Sequence, residues 1–114
     1  MVRGSVIGNT NLEKRKSRLA LLLGKLPGDY EDWLICMVSS QTFRAIAGFG
    51  ELIREDDVDF VGSGLKMASV IRVGRLAVVQ GEVLLGAIGQ IAPKRLERIK
   101  RHLAKWLFSS WSGQ

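Results

Sequence analysis

Two short apolar runs separated by turn residues constrain this chain more than any other feature. Leu19-Ala-Leu-Leu-Leu23 is closed by Gly24, Pro27 and Gly28, and Asp32-Trp-Leu-Ile-Cys-Met-Val38 follows at once. Runs this short and this continuously apolar read as buried strands, and the intervening Gly-Lys-Leu-Pro-Gly-Asp has the length and residue types of a hairpin turn. A membrane-spanning helix needs ~18 or more apolar residues. The longest apolar stretches, Leu19 to Leu23 and Val83 to Ile88, are far shorter, so no span is expected. At its C-terminal end the second run gives way to Ser39-Ser40-Gln41, and that polar edge is a candidate site.

Further along, Phe49 to Ile53 reads as a short strand, and Glu55-Asp-Asp-Val-Asp59 with Gly62-Ser-Gly64 reads as an exposed connection holding one helical turn. Two more strands are expected over Ala68 to Val79 and Glu82 to Ile91, separated near Gln80-Gly81. In the first of them Val70, Arg72, Gly74 and Leu76 alternate with Ser69, Ile71, Val73 and Arg75 without a clean polar face, which leaves its inward side unassigned. Pro93 suits a first helical position, and Leu96, Ile99, Leu103 and Leu107 recur at spacings of three and four. That pattern is an amphipathic helix with a basic opposite face, followed by a short tail from Ser109. About five short strands and one terminal helix in 114 residues make one mainly β domain, a small partly closed barrel in which closure hides strand edges.

The formal charge is +6. Residues 1–25 and 93–114 each carry +5, so the middle of the chain carries −4. Two basic ends around an acidic centre suggest a polyanion partner, with solubility as the plainer alternative. The first residues hold no apolar segment of the secretory kind, and the single cysteine, Cys36, cannot form an internal disulfide, so a cytoplasmic protein is expected. Cys36 lies in an apolar run and reads as a buried thiol. The only histidine, His102, is mid-helix and reads as a surface residue, which leaves no two-histidine ribonuclease mechanism within one chain. Asp56, Asp57 and Asp59 lack the glycine and glutamate spacing of a calcium loop and read as a solvated acidic turn. Gly62-Ser-Gly64 is too short for a phosphate-cradling loop, and no set of metal ligands or cofactor signature is found.

Three segments, in order, resemble the MazF/PemK family. Lys16-Ser-Arg18-Leu-Ala20-Leu-Leu-Leu23 is similar to its Lys-x-Arg-Pro-Ala-Leu-Val-Leu strand, and Leu34-Ile-Cys-Met-Val-Ser39-Ser40-Gln41 to its apolar strand ending in Thr-Ser-Gln. Asp59-Phe60, Gly64-Leu65, Ser69-Val-Ile-Arg72, Leu76, Ile88-Gly89-Gln-Ile91 and the helix after Pro93 follow its C-terminal half in spacing. The resemblance covers about residues 16 to 107 of the single domain expected over 1–114. It implies an SH3-like barrel of the MazF/Kid/CcdB type with a C-terminal amphipathic helix, a homodimer, and cleavage of single-stranded RNA, restrained by an antitoxin whose flexible acidic segment covers the RNA groove. On this resemblance Arg18 and Ser39 are catalytic; Glu13, five residues before Arg18 in a loop that could flank the site, is an acid/base candidate. Lys16, Ser40, Gln41, Ser69 and Arg72 then contact RNA, and neither metal nor cofactor takes part.

Those residue types suit the chemistry. Attack by the ribose 2′-OH needs that hydroxyl held in line with phosphorus and the charge developing on the phosphoryl oxygens stabilised. A guanidinium remains charged and forks onto two oxygens, and a serine hydroxyl donates to a phosphoryl oxygen although it is a poor base by itself. An arginine opening a strand is otherwise a solvated side chain, and a serine ending one is otherwise turn chemistry. Two features depart from the family. Leu19 stands where its proline would follow the arginine, and Arg3-Gly-Ser-Val-Ile7 runs almost directly into Gly8-Asn-Thr-Asn-Leu12, so residues 1–11 read as a shortened first strand. Such a loss implies an open sheet edge, a weaker dimer and blunted catalysis. An active ribonuclease, a non-catalytic RNA- or antitoxin-binding remnant, and a CcdB-like toxin directed at DNA gyrase therefore all stay open.

Overall fold

A computed structural model describes residues 2–8, 19–84 and 86–111. Six strands form one antiparallel sheet: β1 (Ser5–Ile7), β2 (Leu19–Lys25), β3 (Asp32–Ser39), β4 (Glu51–Ile53), β5 (Ser69–Gln80) and β6 (Ala87–Gln90). Their order across the sheet is β4-β5-β3-β2-β1-β6, and the sheet curls into a half-barrel. A single helical turn, α1 (Phe60–Ser63), precedes β5, and the one long helix, α2 (Pro93–Trp111), ends the described chain. The helix thus runs through Ser109 and two residues beyond, where the sequence suggests a tail. Of the segment expected as a strand from Glu82 to Ile91, Gly81–Val83 is a 3-10 turn and only Ala87–Gln90 pairs.

The continuous apolar run of β2 has a direct cause. Leu21 and Leu23 point to one face and join Cys36, Val38, Ile71, Ile99 and Leu103 in a core beneath α2. Ala20 and Leu22 point to the other, with Ile7, Trp33, Ile35 and Val79. A strand covered on both faces has no solvent side to supply polar residues. Ile99, fully buried on the apolar stripe of α2, stabilises this core by ~1.5–3 kcal/mol.

The short first strand does not leave an open edge. All three residues of β1 are buried, and β1 pairs with β2 on one side and β6 on the other. The edges of the sheet are β4 and β6 instead, and both are covered. Against β6 the backbone of α1 approaches so closely that a Cβ on Gly89 would lie 2.2 Å from the Gly62 carbonyl oxygen. A Cβ on Gly64, which has φ +76, would lie 2.2 Å from that of Ile88. Gly64 and Gly89 therefore serve close backbone packing.

On the β4 side, closure depends on Arg95. Its guanidinium donates to the Leu52 carbonyl at 2.8 Å, to Glu51 Oε1 at 3.2 Å and to Asp57 Oδ2 at 3.1 Å. It also grips both oxygens of Asp59, at 2.8 and 3.0 Å. The Ala92 N–H donates to Asp59 Oδ2 at 2.9 Å, and Arg98 shares Glu51. One residue of α2 thereby ties β4, the acidic connection and the β6–α2 junction together. Asp57 and Asp59 are consequently not a solvated acidic turn. The Arg54 N–H, ahead of Arg95, lowers the Asp57 pKa. Burial pushes Asp59 up, but Arg95 and the Ala92 N–H outweigh it and hold its carboxyl below the usual aspartate value.

Candidate functional site

The expected polar edge at the end of β3 opens into a groove of 590 Å³. Register explains which side chains reach it. Met37 faces Arg72 across the β3–β5 ladder, while neighbouring Cys36 faces Leu76. Val73, Gly74 and Arg75 are therefore three extra residues without partners opposite them, a β-bulge larger than the usual single-residue insertion. A bulge re-aims side chains and is common next to binding sites. It also accounts for the missing polar alternation in this strand. Arg72 shares the face of Met37, away from the Cys36 and Val38 side chains beneath α2, and the bulge brings Arg75 into the same groove.

Three arginines meet there. Arg44, in the 3-10 turn Thr42–Arg44, completes the set, and all three line both this groove and an adjoining hollow of 230 Å³. Burial, then the charges of Arg75 and Arg44, lowers the Arg72 pKa. Among the described residues none of the three is ion-paired with a carboxylate, whereas Arg95, Arg98 and Arg101 all are. The Gln41 N–H donates to Ser39 Oγ at 3.0 Å, so the turn uses the acceptor side of that hydroxyl and leaves its proton free to donate. Arg44 Nε donates to Gln41 Oε1 at 2.5 Å, which fixes the direction of its guanidinium. Gly74 lies against the Phe49 ring, which a Cβ at that position would meet at 3.0 Å, and Phe49 packs on Trp106 of α2 with ring centroids 5.9 Å apart. The bulge is braced from behind by the helix.

Of the residues expected from sequence, Ser39, Gln41 and Arg72 line this groove, and Ser40 is exposed beside it. Ser69 does not reach it: the residue is 1% exposed, and its hydroxyl donates to the Met67 carbonyl at 2.9 Å. Glu13, Lys16 and Arg18 lie outside the described residues, although Leu19, which follows Arg18, lines the groove. Arg44, Arg75 and Gly74 were not anticipated. The broken alternation around Gly74 was the available signal, since an arginine pair flanking a glycine in an otherwise apolar strand marks a bulge.

Elsewhere, Cys36 is buried, and desolvation pushes its thiol up to about 12, which leaves it protonated and unreactive. His102 is half-buried, with Nδ1 enclosed and without a hydrogen-bond partner, so it is not the surface residue expected. Among the described residues no group of three or more histidine, cysteine, aspartate or glutamate side chains is placed to hold a metal ion. Among the described residues no helix is long and apolar enough to cross a membrane. No protein-family model matches this chain, and no curated protein matches it.

Guanidiniums offer forked donors that match phosphate oxygens, and the serine adds a neutral O–H donor beside them, so the lining has the chemistry to hold an anion.

Proposed function

We propose that this chain is an endoribonuclease of the MazF/PemK toxin type, that its curled sheet is an SH3-like barrel, and that single-stranded RNA lies in the arginine groove. The observation that carries this reading is the meeting of Ser39, Arg44, Arg72 and Arg75 in one groove without a neutralising carboxylate among the described residues. In the proposed reaction the ribose 2′-oxygen attacks phosphorus and the bond from phosphorus to the 5′-oxygen breaks. The products are a 2′,3′-cyclic phosphate and a 5′-hydroxyl. Glu13 takes the 2′-OH proton, and the leaving 5′-oxygen takes one from water. Arg18 and Arg72 balance charge on the phosphoryl oxygens, and Ser39 donates to one of them. Arg44 and Arg75 hold flanking phosphates and set register.

An acidic antitoxin segment would compete for the same arginines, and a homodimer would place two such grooves in one particle. The test is incubation of the purified protein with a long RNA, with and without EDTA, and analysis of the ends. Cleavage that survives the chelator and leaves cyclic phosphate is expected. A strict magnesium requirement, or intact RNA at stoichiometric protein, would refute the reading.

A further inference from the structure

Phe43 has no role in the fold, yet it stands beside the groove. Its side chain is 79% exposed, so it adds nothing to either core. The Arg44 guanidinium lies over its ring, 5.3 Å from the centroid, and that same guanidinium donates to Gln41 Oε1 while Arg44 lines the groove. Isolated exposed apolar residues are ordinary on protein surfaces. This one differs in being coupled to a cation whose direction is fixed, at the mouth of a site with three unpaired arginines. An aromatic ring with a stacked guanidinium presents flat π-surface next to positive charge, the combination that single-stranded nucleic-acid binders use to hold successive bases and phosphates.

From this juxtaposition we infer that Phe43 and Arg44 form a nucleobase-stacking platform at the rim of the groove, which makes the site a reader of unpaired bases as well as of phosphates. The inference rests on the reading of the groove as an RNA site. A base splayed from the strand stacks on the open surface of this pair, while its own phosphate stays within reach of Arg72 and Arg75. Duplex RNA is excluded because its bases are already stacked on each other.

The test is binding without cleavage. A fluorescent 2′-O-methyl RNA oligonucleotide has no free 2′-OH to attack with, and a second oligonucleotide of the same length and backbone carries abasic residues throughout. Affinities are measured by anisotropy at fixed salt for the parent, Phe43→Ala and Phe43→Trp. Phe43→Ala should weaken binding of the base-bearing strand at least ~5-fold, the low end for one base stacked on an aromatic ring. It should leave the abasic strand unchanged, and Phe43→Trp should restore binding. Phe43 touches neither core, so all three proteins should melt together. If Phe43→Ala binds both strands as the parent does, or loses both equally, the platform is refuted while the groove stands. If the parent binds neither strand, the RNA reading of the groove is refuted, and the platform with it.

Discussion

Replacing Arg95 by alanine removes the guanidinium that joins β4, the acidic connection and the start of α2. Its side chain is 9% exposed, and the Glu51 and Asp59 side chains are each 10% exposed. Breaking one partner out of a buried ion pair costs ~3–5 kcal/mol, because the remaining charges are left without compensation. Here the low end applies, since Arg98 still holds Glu51 and Asp57 is 35% exposed to water. A loss of ~3 kcal/mol is a large part of the ~5–15 kcal/mol that stabilises a domain of this size. At roughly 4–8 °C for each kcal/mol it lowers the melting temperature by about 12–24 °C. Adding Asp59→Asn to the alanine variant removes one of the stranded charges and should recover part of the loss. The pH dependence carries a second signature. Asp57 and Asp59 have folded-state pKa values below the ordinary aspartate value. Their contribution is therefore fully present above the unfolded-state value, near ~3.9, and is lost as pH falls through the lower folded values. The Arg95 pKa is raised, despite burial, by its bonds to Asp59 and the nearby carboxylates. Its contribution is complete at any pH below the unfolded arginine value and adds no slope in an ordinary titration. The assay is calorimetric melting from pH 3 to 8 on the parent, Arg95→Ala and the double variant. An Arg95→Ala protein that melts within ~2 °C of the parent at neutral pH would refute the account, because the expected loss is many times larger.

Arg72→Ala should reduce RNA affinity by ~10–100-fold, the range for one charge-assisted hydrogen-bonding partner, without a matching fall in melting temperature; filter binding and melting on the same samples check both. Ser39→Ala should cut the cleavage rate by ~10²-fold if its O–H donates to the phosphoryl oxygen, whereas Ser39→Thr, which keeps the hydroxyl, should retain most of it. Single-turnover cleavage of a labelled RNA measures the pair, and equal rates for parent and Ser39→Ala would remove Ser39 from the reaction. Gly89→Ala should destabilise by at least ~2 kcal/mol, since the new Cβ would meet backbone rather than a movable side chain; urea unfolding reads this, and a change under ~0.5 kcal/mol, the level of an unremarkable surface substitution, would refute the close-packing role of that glycine.

The parts of the fold legible in the sequence were those whose pattern is local. β2 and β3 could be placed from continuous apolar runs, and α2 from the spacing of Leu96, Ile99 and Leu103, because burial on two faces or on one stripe dictates those patterns directly. The bulge in β5 was visible only as a failure of alternation around Gly74. Its meaning depends on the β3 register, which no single segment carries. Ser69 was misplaced as well. The resemblance put it in the groove with Arg72, yet it is buried and its hydroxyl turns back onto the Met67 carbonyl. β1 looked damaged because it is short, but three residues suffice where both neighbours pair with them.

Charge reads differently along the chain and in the fold. Summed by segment, the positive charge lies at the two ends and the middle of the chain is acidic. In the folded protein the three arginines of α2 are paired, Arg95 and Arg98 with Glu51, Asp57 and Asp59 and Arg101 with Glu97, while Lys94, Lys100 and Lys105 make no ion pair among the described residues. The unpaired arginines of the groove, Arg44, Arg72 and Arg75, come from the acidic middle. Close to the surface an anion responds most to charges that no neighbouring carboxylate cancels, and among the described residues Arg44, Arg72 and Arg75 are such charges. The ion pairs of Arg95 thus seat α2 against the curled sheet without drawing on the arginines of the groove. The two features also share a mechanical support. α2 is anchored at its start by Arg95, and further along it presents Trp106 to Phe49, which in turn lies against Gly74 at the turn of the bulge. A continuous chain of contacts, Trp106 to Phe49 to Gly74, thus joins α2 to the bulge that carries Arg75.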